Sequence, residues 1–214
     1  MAAIDLRYVH PPTTDTPTTV TPPTTPPSPT VTPVAGGVTY IRWGRTSCPT
    51  VDGTEDVYNG ITAGSHHGHT GGGSNYICMV KEARYHPGAR TGSNWIYGTE
   101  YETGGHFLNS QNQDNVPCAV CHVTTRSAQL MIPGTDQYPG GWTSEYTGWL
   151  MSEHYTTKGR TMYVCVDKDA QALPGLGAEN DGVRMYHTSV SCNNGIPCPP
   201  FVHIKDLACV VCTK

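Results

Sequence analysis

The chain of 214 residues is short of charge and has no long apolar run. Charged residues make up 14% of it, and its formal net charge is −4. So weak an acidic balance gives no electrostatic reason to bind nucleic acid or an anionic membrane surface, and neither is expected as a partner. No apolar run approaches the roughly 18 residues that a membrane-spanning helix needs, so we expect no membrane span.

Familiar catalytic and cofactor-binding motifs are also missing. The sequence has no Gly-x-Ser-x-Gly, no His-Glu-x-x-His and no P-loop pattern. Several acidic residues could supply a carboxylate pair, but nothing in their spacing indicates one, and solvated strand faces are the ordinary interpretation; they are Asp56, Glu100, Glu102, Glu145 and Glu153. We therefore expect a protein that is not an enzyme and that needs no cofactor.

Helical periodicity of useful length is absent, which leaves β-structure. Short segments rich in β-branched and aromatic residues are bounded by Gly, Pro, Asn or Asp. The predicted strands are 38–43, 55–61, 75–80, 95–102, 117–124, 128–132, 143–151, 161–167, 183–191 and 207–213. The expected fold class is therefore mainly β.

The cysteine count indicates the compartment. Nine cysteines, 24 glycines and 18 prolines with few charges are typical of a secreted, extracellular, loop-rich fold held by disulfides. Zinc ligation in the cytosol is the competing interpretation. No Asn-x-Ser/Thr sequon occurs, so N-glycans are not expected. Residues 1–5 lack the basic end and apolar stretch of a signal peptide, so we expect the numbering to start near a mature end or without the leader.

The N-terminal segment, residues 1–10, alternates apolar and charged residues. Ile4, Leu6 and Tyr8 would share one face, which predicts a short strand. Such a strand could add to the sheet edge of a neighbouring subunit. A disordered terminus is the alternative.

A Pro/Thr-rich linker follows at residues 11–36. This composition cannot bury a core and favours polyproline II, which would reach roughly 80 Å at about 3.1 Å per residue. Thr and Ser beside Pro also suit O-linked sugars. The candidate O-glycosylation sites are Thr13, Thr14, Thr16, Thr18, Thr19, Thr21, Thr24, Thr25, Ser28, Thr30 and Thr32.

The rest of the chain, residues 37–214, reads as one module built from the same unit used twice. A Cys-x-x-Cys pattern occurs in residues 116–122 and again in 207–213, and a Tyr-x-Cys pattern precedes each. Further matching pairs are Tyr58 with Tyr146, Cys78 with Cys165, His66 with His154 and Tyr97 with Tyr186. We interpret residues 37–125, the first half, and residues 126–214, the second half, as homologous halves that arose by tandem duplication.

Strand geometry constrains the disulfides of the first half. Residues i and i+3 of an extended strand point to opposite faces, so Cys118 and Cys121 should reach two different partners. The first half offers Cys48 and Cys78. Strand geometry does not choose between the pairings 48–121 with 78–118 and 48–118 with 78–121.

The second half has a different set of cysteines. Cys165 stands in the role of Cys78, while Cys192 and Cys198 flank a short Asn-Asn-Gly-Ile-Pro segment suited to a small closed loop. The position equivalent to Cys48 is Gln137. One thiol is therefore left over.

Longer motifs carry a family resemblance. They are GVTYIRWGR at 37–45, GSHHGHTG at 64–71, VPCAVC at 116–121, IPCPPFV at 196–202 and CVVC at 209–212. In this order they resemble the invertebrate short-chain (spongin-like) collagens almost from end to end. Residues 131–151 are also similar to the start of the second half of the non-collagenous C-terminal domain of type IV collagen, to which that family is related.

The resemblance implies a disulfide pattern and a mode of association. The implied bridges are Cys48–Cys121, Cys78–Cys118, Cys165–Cys209 and Cys192–Cys198. Cys212 then remains as a free thiol or one that bridges subunits. The resemblance further implies a β-rich fold with a habit of strand exchange and side-by-side assembly. The chain has no Gly-x-y repeat, so it forms no collagen triple helix.

One histidine cluster invites a metal. His66, His67 and His69 stand beside three consecutive glycines. On a strand His67 and His69 would share a face and could bind a metal such as zinc. The alternative is that His and Gly fill a tight, polar part of the fold without a metal.

The aromatic residues leave two functions open. Those that could line a sugar-binding groove, or more ordinarily pack a β core, are Trp43, Trp95, Trp142, Trp149, Tyr58, Tyr146 and Tyr155. The leading hypothesis is an extracellular structural protein whose partners are other copies of itself, in a matrix or filament, with glycans or matrix components as further partners. The alternative is a secreted carbohydrate-binding, lectin-like module on a glycosylated stalk.

Overall fold

A computed structural model describes residues 36–88, 92–104, 114–173, 182–192 and 194–214. Over these ranges the chain forms β-strands and no helix, so none is present that could cross a membrane. The strands are β1 Val38–Trp43, β2 Thr54–Gly64, β3 Ile77–Val80, β4 Tyr97–Tyr101, β5 Pro117–Val123, β6 Gln129–Pro133, β7 Thr143–Ser152, β8 Val164–Asp167, β9 Val183–His187 and β10 Ala208–Thr213. The mainly β prediction is confirmed.

The N-terminal predictions fall outside this description. Residues 1–10, with the assembly strand of Ile4, Leu6 and Tyr8, are not among the described residues, and nor is the linker with its glycosylation candidates except for residue 36. Both remain predictions from the sequence.

Seven strands close into a barrel. Their order is β7-β8-β1-β5-β2-β4-β9, and β9 pairs back onto β7. Most neighbours are antiparallel, but β1 with β8 and β4 with β9 are parallel. The remaining strands extend the barrel: β10 and β6 continue from β7, and β3 pairs with β2.

The same order of pairing occurs in both halves. In the first half β1 pairs with β5, β5 with β2, and β2 with β3 and β4. In the second half β6 pairs with β10, β10 with β7, and β7 with β8 and β9. Residues of the two halves can therefore be compared by their place in the ladders, whatever the origin of the two units.

Two hydrophobic cores lie on opposite faces of the strands. Alternation along β5 shows the division, because Cys118 belongs to one core whereas Ala119, Cys121 and Val123 belong to the other. The first core is formed chiefly by Trp43, Tyr101, Met151, Val166, Val183 and Met185. The second is formed chiefly by Tyr40, Tyr146, Leu150, Cys165, Cys209 and Val211.

Four disulfides hold these layers together. They join Cys48 with Cys121, Cys78 with Cys118, Cys165 with Cys209 and Cys192 with Cys198, which are the pairs that the family resemblance implies. Cys118 bridges within the first core and Cys121 towards the second, as the two faces of β5 require.

Cys212 is free and fully buried. Its Sγ lies 3.6 Å from the carbonyl oxygen of Leu130, and Gln137, at the position equivalent to Cys48, is exposed. Burial, together with the nearby Glu145 carboxylate, raises the pKa of the Cys212 thiol. The thiol is therefore not presented on the surface, where a bridge to another subunit would need it.

Candidate assembly surfaces

Two polar pairs seal the contact between the two halves, here called the inner contact. The Arg42 guanidinium on β1 donates to the Asp167 carboxylate on β8 through Nε at 2.7 Å and lies 2.7 Å away through a second nitrogen. The Tyr40 hydroxyl, also on β1, donates to Glu145 on β7 at 2.9 Å. Burial, reinforced by the Glu145 carboxylate, raises the pKa of the Tyr40 phenol far above its ordinary range. Both pairs are largely withdrawn from water.

The position of Glu145 does not follow from the alternation of the residues on either side of it in β7. It occupies a β-bulge, because Val211 pairs with Tyr146 and Cys212 with Ser144. Its carboxylate accepts hydrogen bonds from a ring of donors: Tyr40, Thr54, Arg126 and Thr213. The expectation that Glu145 and Glu100 lie on solvated strand faces is wrong, since both are almost fully buried.

Each residue of the two polar pairs has an equivalent in the opposite half, and all four equivalents are apolar. We call these four residues the open counterpart. Leu130 and Ile132 on β6 occupy the ladder positions of Tyr40 and Arg42. Val80 on β3 occupies that of Asp167, because Val80 pairs with Gly60 as Asp167 pairs with Gly148. Val57 is skipped in the ladder between Asp56 and Tyr58, as Glu145 is in its own.

The open counterpart faces solvent. Val57, Val80 and Leu130 are 54%, 43% and 41% exposed, and Ile132 is half-buried. Among the described strands, β3 pairs with β2 alone and β6 pairs with β10 alone. Each half thus carries one sealed surface and one uncovered surface of the same construction.

The connector between β8 and β9, described at residues 168–173 and 182, crosses onto the first half. The Gln171 backbone N–H donates to the Gly44 carbonyl at 2.7 Å, and that of Leu173 donates to the Asn115 carbonyl at 3.0 Å. The Gln171 side-chain oxygen also accepts from the Thr46 backbone N–H at 3.0 Å. The second-half connector is therefore bound along its described length.

Strand β9 continues this crossing. Its residues Val183–Met185 pair in parallel with Thr99–Tyr101 of β4 and are almost fully buried at Val183 and Met185. Just before it, the Gly182 carbonyl accepts from the His67 backbone N–H at 3.2 Å. The second half thus contributes a strand to the first.

The matching connector of the first half, between β3 and β4, lies on the surface. It is described at residues 81–88 and 92–96, and its Lys81-Glu82-Ala83 matches Lys168-Asp169-Ala170 of the other connector. Apolar rings and chains are left in water, with Trp95 68% exposed and Tyr85 and Ile96 also exposed. The first-half connector therefore leaves apolar side chains exposed where the second-half connector makes contacts within the molecule.

The space above two equivalent glycines differs between the halves. Gly44 and Gly134 both follow the first strand of their half with positive φ, +85° and +88°. A methyl group added to Gly44 would meet Ala170 and Val166 at 3.0 Å, whereas one added to Gly134 would meet no atom within 4 Å. The first half is covered at this position and the second half is open.

A cavity of about 800 Å³ lies where the end of β9 and the following residues are uncovered. Its lining includes Ser189 and Val190, which match Glu100 and Tyr101, the β4 residues that β9 covers in the first half. Tyr155 at its rim is 91% exposed. Burial raises the pKa of the Tyr186 phenol and nearby Glu102 raises it further. The cavity has both aromatic and acidic walls.

The histidine cluster lies in the turn after β2 and not on a strand. The His66 ring stacks between those of His67 and His69, with centroids 4.5 Å apart on each side, and His66 Nδ1 accepts from the Gly68 N–H at 2.9 Å. No set of three or more His, Cys, Asp or Glu residues suited to a metal occurs in the described parts of the chain.

The aromatic residues do not gather in one groove. Trp43 and Tyr146 are buried in the cores, and Trp149 packs against the first of them. Trp95 and Tyr155 are exposed but line different cavities. Tyr58 donates its hydroxyl to the Cys78 carbonyl at 3.0 Å, and Trp142 is half-buried.

A search of protein-family models finds none that matches this chain.

Proposed function

We propose that the protein is a structural subunit, without enzymatic activity, that assembles head to tail with copies of itself in an extracellular matrix or filament. The observation that carries this proposal is the open counterpart. Four apolar residues occupy the ladder positions at which polar residues seal the inner contact, and they are left facing water. A second copy would bring Val80 and Val57 of one molecule against Ile132 and Leu130 of the next.

The chemistry of the four positions is matched in both members of each pair. In the inner contact a cation meets an anion and a hydroxyl meets a carboxylate. In the open counterpart every one of these four groups is aliphatic, so no buried charge would lack a partner. Burial of exposed aliphatic side chains yields about 25 cal/mol for each Å² removed from water, which favours association.

The connectors extend the same surface. Repeating the inner contact between molecules would place Ala83 over Gly134, as Ala170 lies over Gly44. It would also run residues 94–96 beside residues 188–190, which border the cavity rimmed by Tyr155, and so remove Trp95 and Ile96 from water. The connector of the first half would then bind a neighbouring copy as the connector of the second half binds within the molecule.

The contact is of the kind that repeats. The surface donated by the first half differs from the surface offered by the second, so each added copy leaves one of each uncovered. Such head-to-tail interfaces form rings when the rotation closes and open filaments when it does not. The disulfides and the resemblance to the C-terminal modules of spongin-like collagens are compatible with a secreted protein of this kind.

Charge substitutions at two matched positions test the proposal. We expect Val80→Asp alone and Ile132→Arg alone to reduce assembly by more than tenfold in apparent affinity, because each buries an unpaired charge. The double variant Val80→Asp/Ile132→Arg should recover assembly, since the two new groups would meet as Arg42 and Asp167 do. Light scattering with negative-stain microscopy, without reductant, gives the size and form of the particles.

Val202→Asp serves as the matched control, since Val202 is an exposed valine outside the connectors and the open counterpart. It should assemble as the unmodified chain does. An unmodified chain that remains a monomer at every concentration would overturn the proposal, and so would a double variant that assembles no better than the singles.

Carbohydrate binding is the second candidate, favoured by the surroundings of Trp95. Its exposed side chain lines two open clefts, whose other lining residues include Thr70, Asn75 and Asn94. An aromatic face with hydrogen-bonding groups around it is suited to a sugar ring. A glycan array with the Val80→Asp monomer separates the candidates, because a lectin would bind sugar there and lose it on Trp95→Ala.

A further inference from the structure

The chain contains two Asn-Gly dipeptides in different settings: Asn59-Gly60 and Asn194-Gly195. Both asparagines are exposed to water. In such a dipeptide the glycine backbone nitrogen can attack the asparagine side-chain carbonyl carbon, because glycine has no Cβ to obstruct the approach. Whether it does so depends on the freedom of the backbone to bring the two atoms together.

The first dipeptide is held in the middle of the sheet. Asn59 pairs with Ala119, and Gly60 pairs with Cys118 on one side and with Val80 on the other. Gly60 is also buried, and a Cβ there would collide with the Met79 carbonyl oxygen. The extended backbone between two neighbouring strands has no room to turn the glycine nitrogen towards the side chain.

The second dipeptide lies in the small loop that the Cys192–Cys198 disulfide closes. Cys192 and Ile196 also form an isolated β-bridge between their backbones at the base of this loop, and Asn194 and Gly195 lie in a turn. Gly195 has a φ of +94°, and a Cβ there would meet nothing within 4 Å. Asn194 Nδ2 donates to Ser191 Oγ at 2.9 Å, which folds the side chain back over its own turn.

We propose that Asn194 is a site of spontaneous deamidation in the folded protein. The Gly195 nitrogen forms a bond to Asn194 Cγ and loses its proton, and the side-chain nitrogen leaves as ammonia. Water then opens the resulting five-membered imide at either carbonyl, giving aspartate or isoaspartate. No redox partner is needed, and the only co-reactant is water.

The modification changes the charge of one identifiable surface. Each event replaces a neutral amide by a carboxylate, so the donor that now reaches Ser191 Oγ becomes an acceptor. Ser191 lines the same cavity as His203 and Asp206. An aged molecule would therefore carry an added negative charge next to Ser191, or an extra backbone carbon in the loop where isoaspartate forms.

Peptide mapping of the folded, disulfide-intact chain tests this directly. The protein is incubated at neutral pH, and the conversion of each asparagine is followed by mass spectrometry, with isoaspartate detected by enzymatic methylation. We expect Asn194 to convert at least roughly tenfold faster than Asn59, because the strand holds Gly60 away from the geometry of attack. After reduction and denaturation the two rates should approach each other.

Two variants fix the assignment. Asn194→Gln, which would need a larger ring to cyclise, should abolish the acidic species seen on ion exchange, whereas Asn59→Gln should leave them unchanged. Equal rates at the two sites in the folded protein would overturn the proposal, as would an acidic species that persists in the Asn194→Gln variant.

Discussion

The inner contact and the open counterpart have one backbone geometry and opposite chemistry. Tyr40 and Arg42 donate hydrogen bonds to carboxylates of the second half. Leu130 and Ile132, at the same ladder positions, belong to the partly exposed open counterpart. Buried ion pairs contribute little net stability compared with well-packed apolar residues, although breaking one is costly. The comparison teaches that one strand geometry can carry either chemistry: the polar groups are paired within the molecule, and the aliphatic groups are left partly exposed to solvent.

The largest expected effect comes from making the first half resemble the second in its disulfides. The first half has the Cys48–Cys121 bridge, whereas the second has Gln137 and a free Cys212 at these positions. Replacing both Cys48 and Cys121 by alanine should lower the free energy of unfolding by about 4 kcal/mol, since the bridge closes a long loop. Denaturant unfolding without reductant measures this loss.

The short loop supplies the control for that measurement. Cys192→Ala with Cys198→Ala should cost about 2 kcal/mol, because its sequence separation is 6 against 73 for the long one. A loss from the long loop no greater than from the short one would contradict the loop-entropy account.

A slightly smaller effect follows from carrying the apolar pair inwards. Arg42→Ile alone should destabilise the fold by about 3 kcal/mol, because it leaves the Asp167 carboxylate buried without its cation. Arg42→Ile with Asp167→Val, which copies Ile132 and Val80, should restore most of that loss. Thermal and urea unfolding report both values; a double variant as unstable as the single one would mean that the inner contact cannot use apolar chemistry.

The smallest effect on stability is expected at the exposed connector. Trp95→Ser with Ile96→Ser should change the free energy of unfolding by no more than about 0.5 kcal/mol, since both side chains face water. Assembly should nevertheless weaken, which sedimentation velocity measures. Met185→Ser, at the buried position that matches Ile96, should instead cost about 2 kcal/mol or more. Unchanged assembly in the connector variant would remove Trp95 and Ile96 from the proposed contact.

The strands were predictable because local patterns dictate them. Short β-branched and aromatic segments between Gly, Pro and Asn gave all ten, with differences only at their ends. The two-face rule for Cys118 and Cys121 also holds, because the period of a strand is independent of the rest of the fold. The strand predicted at 55–61 likewise excludes His66, His67 and His69; β2 extends to Gly64, and the histidines lie in the turn after it.

The burial of Glu145 could not be read from its neighbours. It follows Ser144 and precedes Tyr146 in an alternating strand, and only the bulge turns it inward towards donors that are distant in sequence. Barrel closure by parallel pairing of β1 with β8 and β4 with β9 likewise depends on contacts between halves. The same holds for the open counterpart, which is recognised only once Val57 on β2 and Glu145 on β7 are seen to occupy equivalent bulges.

The difference between the polar inner contact and the aliphatic open counterpart also disfavours wrong pairing between molecules. In a concentrated solution of identical chains, the Glu145 and Asp167 surface of one molecule could meet Leu130 and Ile132 of another molecule instead of its own first half. Such an exchange would set Asp167 against Ile132 and deprive its carboxylate of the Arg42 guanidinium that it meets in the inner contact. On the proposed assembly, polar groups would therefore meet polar groups in the inner contact, and aliphatic groups would meet aliphatic groups between molecules.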